Sequence, residues 1–156
     1  MNNKKGYSIY IACPISKYVR YGFDEEFLEV VNNIYIVLKN NFTNVYFPLY
    51  EENYGKDKVK GDGKNCVSKD LEEVNKADVI VAIPEDSMGV SVELGWGSVQ
   101  NKQMLVFVDK KFHQSELVKN IDQISNTKII KIDTSYGYKT QENNIINEVK
   151  KYFDLE

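Results

Sequence analysis

Hydrophobic positions along the chain fall into two kinds of run that take turns. YSIYIAC (7–13) is short, apolar and β-rich, and it stops at Pro14, which cannot donate to a sheet ladder. Phe23, Phe27, Val30, Val31, Ile34 and Leu38 then recur at helical spacing, with Glu25, Glu26 and Glu29 in the early turns, where the helix dipole favours acids. NVYFPL (44–49) reads as a second strand, EENYGKDKVKGDGKN (51–65) as a polar loop whose length suggests either a lid or a merely mobile insertion, and Val67, Leu71 and Val74 as the apolar stripe of a short helix. DVIVAIP (78–84) is almost uninterruptedly apolar, as a strand buried on both faces must be. A helix over 86–99, the strand QMLVFVD (103–109), a helical stretch around 113–124 and the strand TKIIKID (127–133) follow. A final helix turns Ile145, Ile146, Val149, Tyr152 and Phe153 inward. This alternation predicts an α/β fold: a five-stranded parallel sheet with helices on both faces, Rossmann- or flavodoxin-like, whose ligands sit beyond the carboxyl ends of the strands. At 156 residues the chain is read as one domain, 1–156.

Composition narrows the function. Forty-two per cent hydrophobic and 28 % charged residues are ordinary globular values, and a net charge of −3 supplies no global field for nucleic acid, so no DNA or RNA partner is expected. The opening MNNKKGYSIYIACPI holds only a strand-length apolar run, so no signal peptide or membrane span is read there and the expected location is the cytoplasm. Cys13 and Cys66 lack metal-ligand spacing and His113 is the sole histidine, which argues against a metal site; no cofactor is expected either.

Four features break their local pattern. In DSMGVSVELGWGSV (86–99), Gly89, Glu93 and Gly97 share one helix face, although each interior glycine costs about 1 kcal/mol relative to alanine. Either the glycines clear room for a ligand beside the carboxylate, or they let the helix approach the sheet while Glu93 meets solvent. Asp70 belongs to a face described by positions 67, 70, 71, 74 and 77 whose other members are apolar, so it is either a functional buried acid or an exposed one on a rotated helix. Ser87 is placed to cap the glycine-containing helix, and a helix start of this kind also accepts phosphate or carboxylate groups. Arg20, the only arginine, follows the first strand beside Lys17 and is either a surface residue or a phosphate ligand.

The segments IYIACPI, DLEEVNKADVIVAIPE and SMGVSVELGWGSVQNKQMLVFVD, in that order and spacing, resemble the nucleoside 2-deoxyribosyltransferases and their relatives, the nucleoside 5′-monophosphate N-glycosidases, over about residues 7 to 133. The resemblance implies that Glu93 is a nucleophile that attacks the anomeric carbon and forms a covalent ribosyl-enzyme. It implies that Asp70 assists near sugar and base, and that Tyr10 contacts the carboxylate or the substrate. The expected substrate contacts are Ser87, Met88, Gly89, Cys13, Ile15 and, from its own position, Arg20; the resemblance adds Ser115, contributed by the neighbouring subunit of a homodimer or higher homo-oligomer. The transferases carry an acid six residues before the nucleophile; Ser87 stands there, as in the hydrolases, although SKYVRYG departs from their glycine-rich loop. The expected function is therefore hydrolysis of the base–sugar bond of a nucleoside 5′-monophosphate. Base exchange between deoxynucleosides is the alternative, and a non-catalytic nucleotide sensor, which would not need Glu93, is a further one. A phosphoacceptor receiver domain would close its central strand with aspartate, and AIPE offers none.

Overall fold

The structure, a computed structural model, describes residues 5–22, 24–51 and 63–156. Its elements follow in the order β1 (Lys5–Ala12), α1 (Ser16–Tyr21), α2 (Glu25–Asn41), β2 (Phe42–Tyr46), α3 (Pro48–Glu51), α4 (Gly63–Lys76), β3 (Val79–Ala82), α5 (Met88–Val99), β4 (Gln103–Asp109), α6 (Glu116–Lys119), β5 (Thr127–Ile132) and α7 (Glu142–Tyr152). Short 3-10 turns cover Ile121–Gln123 and Tyr138–Thr140. The strands form one parallel sheet in the order β2-β1-β3-β4-β5, with the switch between β1 and β3, so the α/β architecture read from the sequence is the one observed. No described helix is long and apolar enough to cross a membrane.

Strand parity builds two cores. Ile9, Ile11, Val79, Val81, Leu105 and Phe107 point to the face covered by α2 and α7, where Phe27, Val30, Val31, Ile34, Leu38, Ile145 and Val149 are buried. Tyr10, Ala12, Ile80, Ala82, Met104 and Val106 point to the other face, against Val74 and Ala77 from the α4 side and Val90 and Leu94 of α5. Helix α2 begins where the side chain of Asp24 accepts the Phe27 amide at 3.1 Å, which satisfies one of the helix's open donors.

Several expected boundaries move. SKYVRY, read as loop, is helix α1, and the second strand occupies 42–46, because Pro48 starts a helical turn rather than extending a strand. Of the polar loop expected over 51–65, residues 52–62 lie outside the described residues, as does Phe23, while 63–65 already belong to α4. Within α4, Val67 is exposed while Asp70 and Val74, with Ala77 just past its end, mark the inward side, so the helix is rotated relative to the all-apolar stripe and its acid faces in. The stretch near 113–124 forms only the single turn of α6 and a 3-10 turn. In α7, Ile145 and Val149 are buried with Phe153 just beyond, while Ile146 and Tyr152 are half-buried at the edge of the stripe.

Candidate active site

Three polar residues from three elements meet behind the carboxyl ends of β1 and β3. Tyr10 is fully buried on β1, and its hydroxyl donates to Oε1 of Glu93 on α5 at 3.0 Å. Its ring stacks on that of Tyr46, its register partner at the end of β2, with centroids 5.6 Å apart. Burial, then the negative charges of Glu93 and Asp70, push the Tyr10 phenol far above the usual tyrosine range. Tyr10 therefore stays protonated and acts as a donor, never as a base, at ordinary pH. Asp70, 4 % exposed on α4, lies close enough for its charge to act on Tyr10.

The glycines of α5 do three different things. A Cβ on Gly97 would lie 2.5 Å from Ile80 Cδ1 and 3.0 Å from Met104 Sδ, so this glycine lets the helix settle onto β3 and β4. A Cβ on Gly95 would meet nothing, and one on Gly89 would meet only Ser87 Oγ at 3.7 Å. Open space beside Glu93 thus exists on the Gly89 side; on the Gly97 side the sheet fills it, contrary to the expectation that both glycines clear room for a ligand. Glu93, for its part, turns back to Tyr10 instead of pointing away into solvent.

On that open side lies a cavity of about 540 Å³, a volume typical of small-molecule sites. Cys13, Ile15, Lys17 and Arg20 line it from the β1–α1 segment, and Asp86, Ser87, Met88, Gly89 and Glu93 from the start and first turns of α5. Ser87 is the N-cap: its Oγ accepts the Val90 amide at 3.3 Å, which leaves the hydroxyl proton as a donor. The amides of Met88 and Gly89 stand in the first turn, where a helix provides no acceptor of its own. Cys13 and Ile15 are nearly buried cavity walls, whereas Met88 is 85 % exposed at the rim. Ser115 is not part of this lining; it is exposed and caps α6, accepting the Val118 amide at 3.3 Å.

A second buried acid, Glu85, escaped the sequence reading. It takes hydrogen bonds from Tyr18, Tyr138 and Lys17, and both phenols are driven far above their usual range by burial and then by the Glu85 charge. Burial alone would lower Lys17, but Glu85 and Asp86 outweigh it and hold the ammonium above its ordinary value. Two acids directly after a buried strand and a proline were the visible signal; nothing local to Tyr138 announced its part.

The family model of the nucleoside 2-deoxyribosyltransferases matches residues 9–147. Among solved structures, the chain is similar to the Clostridium botulinum CMP N-glycosidase BcmB, with TM-score 0.59, 14 % identity, and 92 % of this chain and 98 % of that one covered. It is similar to BlsM with TM-score 0.63, 19 % identity and coverage of 97 % and 96 %. It is also similar to a conserved protein from Enterococcus faecalis V583 with TM-score 0.56, 17 % identity and coverage of 95 % and 99 %. At these identities the likeness is one of fold. A comparison with curated proteins finds no significant match.

Proposed function

The chain belongs to the nucleoside 2-deoxyribosyltransferase family, and from that premise we propose that it hydrolyses the N-glycosidic bond of a nucleoside 5′-monophosphate. The observation that carries this reading is a single cavity lined by Glu93, which Tyr10 braces, by the Ser87-capped start of α5 and by Arg20. Six residues of helical rise separate Ser87 from Glu93 by roughly 9 Å, a span that suits a 5′-phosphate at the helix start and C1′ of its sugar at the carboxylate. The phosphate would take the Ser87 hydroxyl proton and the first-turn amides, with the helix dipole and the Arg20 charge adding attraction.

Glu93 then attacks C1′ as the C1′–N bond breaks. The base leaves with the bonding pair and takes up a proton from solvent, which the attacking water of the second step returns, and the sugar remains esterified to Glu93. Tyr10 fixes the attacking carboxylate by donating to it. Asp70 places a second negative charge near the oxocarbenium-like transition state. Water adds to C1′ in the second step and frees Glu93, so configuration is retained overall. The active form is proposed to be a homodimer in which Ser115 reaches the partner's site.

Base exchange is the second reading, and Asp86 is what favours it: this carboxylate lines the Ser87 end of the cavity, where it would hold a sugar hydroxyl instead of facing a phosphate. Turnover of matched nucleosides and nucleoside 5′-monophosphates, with and without a free acceptor base, separates the two. Hydrolysis predicts at least a tenfold preference for the monophosphate, from two or three charge-assisted hydrogen bonds of about 1.5–3 kcal/mol each. Ser87→Asp should erase that preference by setting a like charge beside the phosphate. A wild type that favours nucleosides and transfers sugar to a base faster than to water refutes the hydrolase reading.

A further inference from the structure

Glu85 is the first residue after the Ile83–Pro84 exit from the central strand, at φ 46°, in the left-handed region that non-glycine residues seldom adopt. Its side chain is wholly removed from solvent. A carboxylate removed from water there needs several donors in its place. Tyr18 supplies one to Oε1 at 2.7 Å, Tyr138 donates to the same oxygen, and Lys17 Nζ reaches Oε2 at 3.3 Å. The donors come from two segments far apart in the chain, α1 and the turn after β5. Both phenols also pack on Phe27 of α2, Tyr18 stacked with centroids 4.6 Å apart and Tyr138 edge-on at 5.0 Å.

Helix α1 depends on these anchors. It has six residues and no side-chain cap at Ile15, and a helix that short has no stability of its own in water. Yet with the residues just before it, it forms one wall of the cavity, carrying Lys17, Arg20 and Tyr21 to it. Lys17 also bonds Asp86 Oδ1 at 3.1 Å and sits 4.5 Å from the centre of the Phe112 ring. Asp86 immediately precedes Ser87, so its charge stands at the end of the cavity assigned to the anion.

We infer that Glu85 is a positioning residue for the anionic end of the substrate: it pins α1 to the β3–α5 turn, which sets Arg20 at the cavity and keeps Lys17 over Asp86, so that Asp86 does not repel the substrate's phosphate. Specificity for a phosphorylated ligand then depends on a buried acid that never touches it. The inference rests on the reading that the cavity takes a nucleoside 5′-monophosphate, but the anchoring itself can be tested without substrate.

Glu85→Gln keeps the volume and one acceptor while removing the charge that holds Lys17; Tyr138→Phe, outside the cavity lining, removes one donor and guards against a Glu85 variant that fails to fold. In hydrogen exchange of the ligand-free full chain, both should speed exchange over residues 16–21 and leave β1 and β3 protected. In kinetics, Glu85→Gln should raise KM for a nucleoside 5′-monophosphate by about tenfold or more, on the scale of one lost charge-assisted interaction, with kcat and the kinetics of the matching nucleoside little changed. Lys17→Met should likewise raise KM for the monophosphate, and adding Asp86→Asn to it should recover part of the loss, a rescue that a merely structural Lys17 would not show. Unchanged exchange over 16–21 in folded Glu85→Gln and Tyr138→Phe overturns the anchoring. A fall in kcat at constant KM overturns the positioning role, since Glu85 would then act on the chemical step. If the wild type cleaves no nucleoside monophosphate, the functional reading fails, while the exchange data still decide whether Glu85 holds α1.

Discussion

Replacing each of the three glycines of α5 by alanine separates packing from ligand space. In a helix interior the exchange gains about 1 kcal/mol from propensity, so any difference between Gly95→Ala and Gly97→Ala isolates what the new methyl meets. At Gly95 it meets open space. At Gly97 it lies 2.5 Å from Ile80 Cδ1 and 3.0 Å from Met104 Sδ, well inside normal contact, and both side chains are fully buried, so neither can swing clear without disturbing the sheet beneath. Overpacking of this kind costs about 1–3 kcal/mol. Gly95→Ala should therefore stabilise by up to about 1 kcal/mol, and Gly97→Ala should fall below it by about 1–3 kcal/mol, a Tm gap of at least about 2 °C for a chain of this size. Gly89→Ala, whose methyl meets only Ser87 Oγ at 3.7 Å, should leave stability near wild type and raise KM, because the methyl enters the cavity. Urea midpoints and thermal melts of the three variants give the energies. Gly97→Ala as stable as Gly95→Ala would refute the close-approach argument.

Three further outcomes test the remaining assignments. Glu93→Gln should lower kcat on the order of a thousandfold or more while the protein still folds and binds nucleotide, as calorimetry would read; near-wild-type turnover removes Glu93 as nucleophile. Asp70→Asn should cut turnover far more than it lowers Tm, and the opposite pattern would make this buried acid structural. Tyr10, Tyr18 and Tyr138 all keep their protons in the fold at pH values where an unfolded chain ionises them, so the unfolded state binds fewer protons and stability falls as pH rises. Their contribution is intact below about pH 10 and is lost above it at about 1.4 kcal/mol per pH unit for each tyrosine, roughly 4 together. Urea midpoints followed alongside tyrosinate absorbance measure this; Tyr138→Phe should remove about a third of the slope, and a flat profile above pH 10 contradicts the burial of these phenols.

The sheet was legible because parallel strands buried on both faces must be near-continuous apolar runs, and DVIVAIP and QMLVFVD have no other reading at that length. The segments that misled are those whose structure is set by distant partners. SKYVRY has no cap and no apolar period; it is helical where Tyr18 and Lys17 find Glu85, a contact 67 or 68 residues away that no local window contains. Phe47 and Pro48 read as strand because they continue an apolar run, yet proline cannot donate to a ladder and β2 ends at Tyr46.

The candidate site was legible to the extent that it obeys periodicity. On β1, Tyr10 has the opposite parity to Ile9 and Ile11, and this sends its phenol toward the face that α4 and α5 cover. On α4, the spacing of Asp70 and Val74, continued by Ala77 just past the helix end, carries the acid to the same face. On α5, Val90, Leu94 and Gly97 form the seat on the sheet, with Gly97 close enough to β3 and β4 to exclude even a methyl, and Glu93 comes down beside that seat at the height of the Tyr10 hydroxyl. The glycine that packs and the acid that hydrogen-bonds are thus parts of one arrangement: a side chain at 97 would lift the helix and lengthen the 3.0 Å contact between Tyr10 and Glu93. Gly97→Ala should for this reason lose kcat as well as stability, whereas Gly95→Ala should lose neither; a Gly97→Ala enzyme that is destabilised yet fully active would show that the height of α5 does not govern the carboxylate.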